Sequence, residues 1–197
     1  MIEEGLPRPA PDLPNVRSDT MLNMPADNVI LVGFMGAGKS VVGRLLARRL
    51  GRCLVETDDM IVAREGRSIP DIFRADGEER FRQLEAETLE ALTLKSGEVI
   101  ATGGGFPCRE GRMEALRGLG TVVWLAGDLD DLLERARRTG GRPMLAGRTE
   151  AELDALYRAR QPYYRRAHIT VETGGLGVDQ VVARILAALR EAHAARV

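Results

Sequence analysis

The chain reads as an α/β protein built on a parallel sheet with helices on both faces. Three observations carry that reading. Strand-like apolar runs recur at Val29–Val32, Cys53–Glu56, Glu98–Ala101, Thr121–Leu125 and Ile169–Glu172, with helical patterns between them. Such alternation favours parallel strands joined by crossover helices, which are right-handed almost without exception. The first run leads directly into Gly33-Phe34-Met35-Gly36-Ala37-Gly38-Lys39-Ser40, which fits the phosphate-loop pattern G-x-x-x-x-G-K-[ST]. Behind that loop, Val42, Leu45, Leu46 and Leu50 recur at helical spacing, with Arg44, Arg48 and Arg49 on the other face.

The order strand, glycine loop, helix has a mechanism. Glycines let backbone N–H groups curl around phosphate oxygens, and the helix N-terminus adds its dipole. Lys39 places a point charge at the β- and γ-phosphates, and the Ser40 hydroxyl suits Mg²⁺. Of the 28 Lys and Arg residues, only Lys39 and Lys95 are lysine. In a chain that otherwise uses arginine, the loop keeps the compact ammonium.

The second strand, Cys53-Leu54-Val55, runs into Glu56-Thr57-Asp58. On an extended chain, residues i and i+2 point to the same side, so Glu56 and Asp58 are expected to project together from a strand's carboxyl end. One acid would hold a metal-bound water and the other a substrate hydroxyl; Asp58 or Asp59 also suits a cap for a helix starting near Met60. The next helix is expected over about Glu78–Lys95, with Phe81, Leu84, Thr88 and Leu92 as its buried stripe. Arg82 lies on it, three residues before Glu85, a spacing equally suited to a solvated ion pair. The third strand ends in Thr102-Gly103-Gly104-Gly105, which permits either close backbone approach of a ligand or a plain flexible turn. Between Gly140 and Gly147, glycines, Pro143 and flanking arginines interrupt the pattern as a loop or lid. Arg160 follows on a later helix near Tyr157 and Tyr163. The last helix, about Val178–His193, carries Val181, Val182, Ile185, Leu186 and Leu189.

Residues 1–26 differ in kind. They hold Pro7, Pro9, Pro11, Pro14 and Pro25 among the chain's nine prolines, with no periodic apolar pattern, and are expected to form a disordered extension ahead of a domain spanning 27–197. The net charge of −1 gives no argument for nucleic acid or an anionic membrane surface. No apolar run approaches a membrane span, and no apolar signal core stands at the N-terminus. Cys53 and Cys108 are far apart and fit no C-x-x-C pattern, so both are expected as buried, reduced thiols of a cytoplasmic protein. No N-K-x-D motif for a GTP switch is present.

Taken in order, GFMGAGKS, ETDDMI, GRSIPDIF, GEERFRQLE, ATGGG, RTGGRPML and ARQPYYRRAH resemble the shikimate kinase family over about residues 28–172. The resemblance implies a P-loop fold like that of nucleoside-monophosphate kinases, a three-layer sandwich around a five-stranded parallel sheet. It also implies transfer of the γ-phosphoryl of ATP to the 3-hydroxyl of shikimate by a monomer acting on small molecules, with no nucleic acid or membrane as partner. Gluconate kinase is the alternative on the same fold. By resemblance, Gly36, Ala37, Gly38, Lys39, Ser40 and Val41 would wrap the phosphates of ATP. Ser40 and Glu56 would serve Mg²⁺, and Asp58 would receive or orient the acceptor proton. Arg82, Arg160 and the glycines Gly103, Gly104 and Gly105 would bind shikimate, and Arg142 would swing onto the phosphates. Glu56 departs from the family, which usually carries aspartate there.

Overall fold

The computed structural model describes residues 27–138 and 147–195. The proline-rich stretch 1–26 and Arg142 lie outside the described residues. The rest forms one five-stranded, all-parallel sheet in the order β2-β3-β1-β4-β5, with seven helices. The elements are β1 (Asn28–Val32), α1 (Lys39–Leu50), β2 (Leu54–Glu56), α2 (Thr57–Glu65), α3 (Ile69–Leu92) and β3 (Val99–Ala101). They continue with α4 (Arg112–Leu119), β4 (Gly120–Ala126), α5 (Leu129–Arg138), α6 (Glu150–Tyr164), β5 (Ile169–Glu172) and α7 (Val178–Ala194). Among the described residues no helix is long and apolar enough to cross a membrane.

The central strand β1 is buried throughout, as a parallel strand covered on both faces must be. Register then aligns the strand ends that matter. Leu31 and Glu56 both pair with Ala101, so the loops after β1, β2 and β3 leave the sheet side by side. The chain crosses from β1 outward to β2, returns to β3, then passes β1 to reach β4 on the other side. That reversal opens a crevice at the carboxyl edge, where open α/β sheets bind ligands.

Two cores result. The large one joins the sheet to α1, the end of α3, α4, α5, α6 and α7 and contains Phe34, Leu46, Leu92, Met113, Leu132, Tyr164 and Ile185. A small one, Ile61, Ile72, Phe81 and Leu84, joins α2 to α3, with Phe73 and Phe81 rings 4.7 Å apart. The expected stripe Phe81, Leu84, Thr88 and Leu92 is buried.

The structure corrects four expectations. The helix expected from Glu78 to Lys95 ends at Leu92 and is the second half of a longer element, because Gly77 (φ 77°, ψ −179°) breaks α3 between Asp76 and Glu78. Glu56 and Asp58 do not share a strand. The strand stops at Glu56, and Thr57 already begins α2, so Asp58 sits in the first helical turn. Neither Asp58 nor Asp59 is the cap, since Glu56 occupies that position. Finally, Cys53 is exposed and Cys108 only half-buried, both as free thiols. Cys53 falls just outside β2, in the connection from α1, where the core no longer covers it.

Candidate active site

The phosphate loop stands directly behind β1. Gly36 has φ 80°, and a Cβ there would lie 1.8 Å from the Leu132 carbonyl oxygen, so the loop conformation excludes any side chain at this point. Gly38 serves as the N-cap of α1, and its carbonyl receives the Val42 N–H at 2.9 Å. Lys39 folds back over the loop, donating from Nζ to the carbonyls of Gly33 (2.8 Å) and Phe34 (3.0 Å). Val41, by contrast, is largely exposed on α1.

Ser40 donates its hydroxyl to Glu56 Oε2 at 2.6 Å. The pair offers hard oxygen donors at the edge of the phosphate loop. Among the described residues no cluster of three or more His, Cys, Asp or Glu forms a cage. Mg²⁺ commonly takes one or two protein oxygens and completes its shell with waters and substrate phosphates, so Ser40 and Glu56 fit such an ion.

Asp58, in the first turn of α2, lies against the triple glycine. Gly103 N–H donates to Thr57 Oγ1 at 2.9 Å, and a Cβ on Gly103 would stand 2.5 Å from Asp58 Oδ1. Burial raises the Asp58 carboxyl above its ordinary range. The Lys39 ammonium opposes that rise, while Glu85, Glu56 and Asp59 add to it. A carboxylate with a raised pKa, held beside a cation, is a better proton acceptor than an exposed aspartate.

Two guanidinium groups converge on the same glycines. From the Cβ position of Gly105, Arg160 Nη2 is 3.0 Å and Arg82 Nη1 is 3.3 Å away. Arg82 is no solvated surface residue. It bonds Glu78 Oε1 through Nε (3.0 Å) and Nη2 (2.7 Å), and Glu85 Oε2 through Nη1 (3.0 Å). Glu85 is only 2% exposed and also receives Arg112 Nη1 at 2.9 Å, while Arg112 Nη2 reaches the Arg82 carbonyl at 2.9 Å. Arg160 is 9% exposed, lies over the Phe34 ring at 5.7 Å, and forms no ion pair among the described residues. An open pocket of about 450 Å³ is lined by Arg82, Gly105, Cys108, Leu156, Arg160 and Tyr163, among others.

The crevice thus gathers Lys39, Ser40, Glu56, Asp58, Gly103–Gly105, Arg82 and Arg160 from five separate segments. Sequence reasoning missed Glu85 and Arg112 as the buried support of Arg82, Thr57 as the anchor of Gly103, and Tyr164, whose hydroxyl donates to the Gly104 carbonyl at 2.6 Å. The Arg82–Glu85 spacing was visible, but not that Glu85 is buried. Arg112 and Tyr164 carry no local signal, since each acts on residues remote in sequence.

Comparison with known proteins agrees with this geometry. The shikimate kinase family model matches residues 35–190. A shikimate kinase of Symbiobacterium thermophilum is 46% identical over 168 residues, 83% of this chain and 97% of that protein. A shikimate kinase of Geobacter sulfurreducens is 42% identical over 179 residues, 89% of this chain and 99% of that protein. Among solved structures, the shikimate kinase of Acinetobacter baumannii in complex with shikimate superposes with a TM-score of 0.80 at 37% identity, covering 89% of this chain and 98% of that one. A gluconokinase from Sinorhizobium meliloti superposes with a TM-score of 0.56 at 20% identity, a likeness of fold alone. With the family model running from within the phosphate loop into the last helix, and relatives matched over nearly their whole length, the chain belongs to the shikimate kinase family.

Proposed function

We propose that this chain phosphorylates the 3-hydroxyl of shikimate with ATP, with residues 27–197 as the catalytic unit. The observation that carries the acceptor assignment is Arg160. A guanidinium 9% exposed, with no carboxylate partner among the described residues, is costly to bury unless a ligand supplies the counter-charge. It stands beside Arg82, whose own carboxylate Glu85 is shared with Arg112. A substrate carboxylate held by these two planar forks, with a hydroxyl reaching Asp58, matches shikimate.

Each residue then has a task. The loop N–H groups and Lys39 hold the nucleotide phosphates, and Lys39 stabilises charge that develops on the transferring group. Ser40 and Glu56 would hold Mg²⁺, which when bound neutralises the β- and γ-phosphate oxygens. Asp58, beside the Gly103 backbone, orients the acceptor hydroxyl and takes its proton. Arg82 and Arg160 fix the ring by its carboxylate, so that the hydroxyl is presented in line. Arg142, outside the described residues, is assigned to the phosphates by family resemblance.

The test is acceptor dependence. ADP release from ATP should require shikimate and not gluconate. Arg82→Ala and Arg160→Ala should each weaken shikimate binding by about 2–5 kcal/mol, the range for truncating one partner of a desolvated charge pair, while ATP affinity holds. Titration calorimetry showing unchanged shikimate affinity in both variants refutes the assignment.

A further inference from the structure

The triple glycine presents its backbone in an uneven way. The Gly103 N–H is engaged by Thr57 Oγ1 at 2.9 Å, and the Gly103 carbonyl by the Phe106 N–H at 3.0 Å. The Gly105 carbonyl receives the Cys108 N–H at 3.0 Å. Both carbonyl contacts are local turns. The middle carbonyl differs, because Gly104 O is held by the Tyr164 hydroxyl at 2.6 Å, from a residue 60 positions away. The N–H groups of Gly104 and Gly105 donate no hydrogen bond among the described residues.

A trans peptide is planar, and its C=O and N–H point in opposite directions. Fixing the Gly104 carbonyl therefore fixes the Gly105 N–H, which belongs to the same plane. Without that hold, a peptide between two glycines has soft dihedrals on both sides and can rotate. Tyr164 is well placed to hold it. Its ring is fully buried and stacked on Trp124, with centroids 6.0 Å apart and planes at 30°. Arg160 precedes it by one turn of α6, so both lie on the same helix face. That face delivers a guanidinium and a hydroxyl to adjacent glycines. The Cys108 thiol, 3.6 Å from the same carbonyl, is a weaker second donor.

We propose that Tyr164 is a positioning residue of the acceptor site: by donating to the Gly104 carbonyl it sets the Gly104–Gly105 peptide plane, so that the Gly105 N–H joins Arg82 and Arg160 in receiving the substrate carboxylate. Burial pushes the Tyr164 phenol well above its ordinary range, against the pull of Arg160, so it remains a neutral donor at working pH. The inference rests on the acceptor pocket assigned above.

Tyr164→Phe keeps the ring and removes the donor. Its shikimate KM should rise about tenfold, with kcat within about threefold and the ATP KM within about twofold of the parent. Arg160→Ala is measured in parallel. If both variants leave the shikimate KM unchanged, the pocket assignment falls and takes this inference with it. If Arg160→Ala weakens shikimate and Tyr164→Phe does not, Tyr164 serves packing only. Equal losses for ATP and shikimate, with a lowered melting temperature, likewise reduce it to a packing role. The unmodified protein gives an independent reading should the variant not fold. With glycine-selective ¹⁵N labelling, shikimate should shift the Gly105 amide strongly and the Gly103 amide, already engaged by Thr57, weakly. A Gly105 amide that does not respond to saturating shikimate overturns the proposal.

Discussion

Gly103→Ala is a one-methyl probe of where the Asp58 carboxylate must be. Gly103 is not among the glycines at positive φ, so alanine meets no backbone strain there. The added Cβ would stand 2.5 Å from Asp58 Oδ1 and 3.4 Å from its Cγ. Carbon and oxygen rarely approach closer than about 3.3 Å, so about 0.8 Å must be found. The atom in the way is the tip of a rotatable side chain, whereas Gly103 itself is tied to Thr57 Oγ1 at 2.9 Å. The carboxylate should therefore yield and the fold should not. Misplacing a reacting group by about 1 Å costs on the order of 10²-fold in rate, or about 2.7 kcal/mol. We expect kcat to fall by about that factor. The melting temperature should stay within about 4 °C, since a change of 1 kcal/mol moves a domain of this size by roughly 2–4 °C. Steady-state kinetics and thermal unfolding of the purified variant suffice. The same methyl in an Asp58→Asn background should cost little more, because the group it displaces has already lost its function. A kcat within about threefold of the parent would refute the placement of Asp58 as the proton acceptor. So would a collapse of the melting temperature, which would mean that backbone rather than a side-chain tip gives way.

Other outcomes follow from the same geometry. Lys39→Ala should abolish phosphoryl transfer while circular dichroism is unchanged; parent-like turnover would remove the phosphate loop from the mechanism. Asp58→Asn should lose rate far more than ATP affinity, and should raise stability. Burial lifts the folded-state pKa of Asp58, so its contribution is favourable below the unfolded carboxyl's pKa of about 3.9 and is lost as pH rises through the folded value. At pH 7 the ionised group is a net cost, and the variant's gain in melting temperature should shrink as the pH is lowered towards 4; a melting temperature below the parent's at pH 7 would contradict this. Glu56→Asp should keep activity within about tenfold, or roughly 1.4 kcal/mol, and Glu56→Gln should raise the Mg²⁺ requirement more. A Mg²⁺ titration in which Glu56→Gln matches the parent would show that the contact with Ser40 at 2.6 Å is not part of a metal site.

The primary sequence alone determined the elements that depend on near neighbours. The phosphate loop was legible because strand, glycines and helix start are contiguous, and its conformation follows from residues within the loop. The five strands were legible from apolar runs bounded by charge and glycine, and the buried stripe of α3 from its period. Only the tertiary structure decided what crosses between segments. The Gly77 break was hidden because one backbone residue at positive φ leaves the side-chain period on each side intact. The separate placement of Glu56 and Asp58 was hidden because α2 begins at Thr57 without a side-chain cap, so no residue type announced the boundary. By their own spacing Arg82 and Arg160 were indistinguishable from solvated helix arginines, and only the family resemblance singled them out. What distinguishes them is a buried Glu85 shared with Arg112, 27 positions away, for Arg82, and the Phe34 ring, 126 positions away, for Arg160. Burial and pairing set the chemistry of a charged group, and both are properties of the packed chain rather than of any stretch of it.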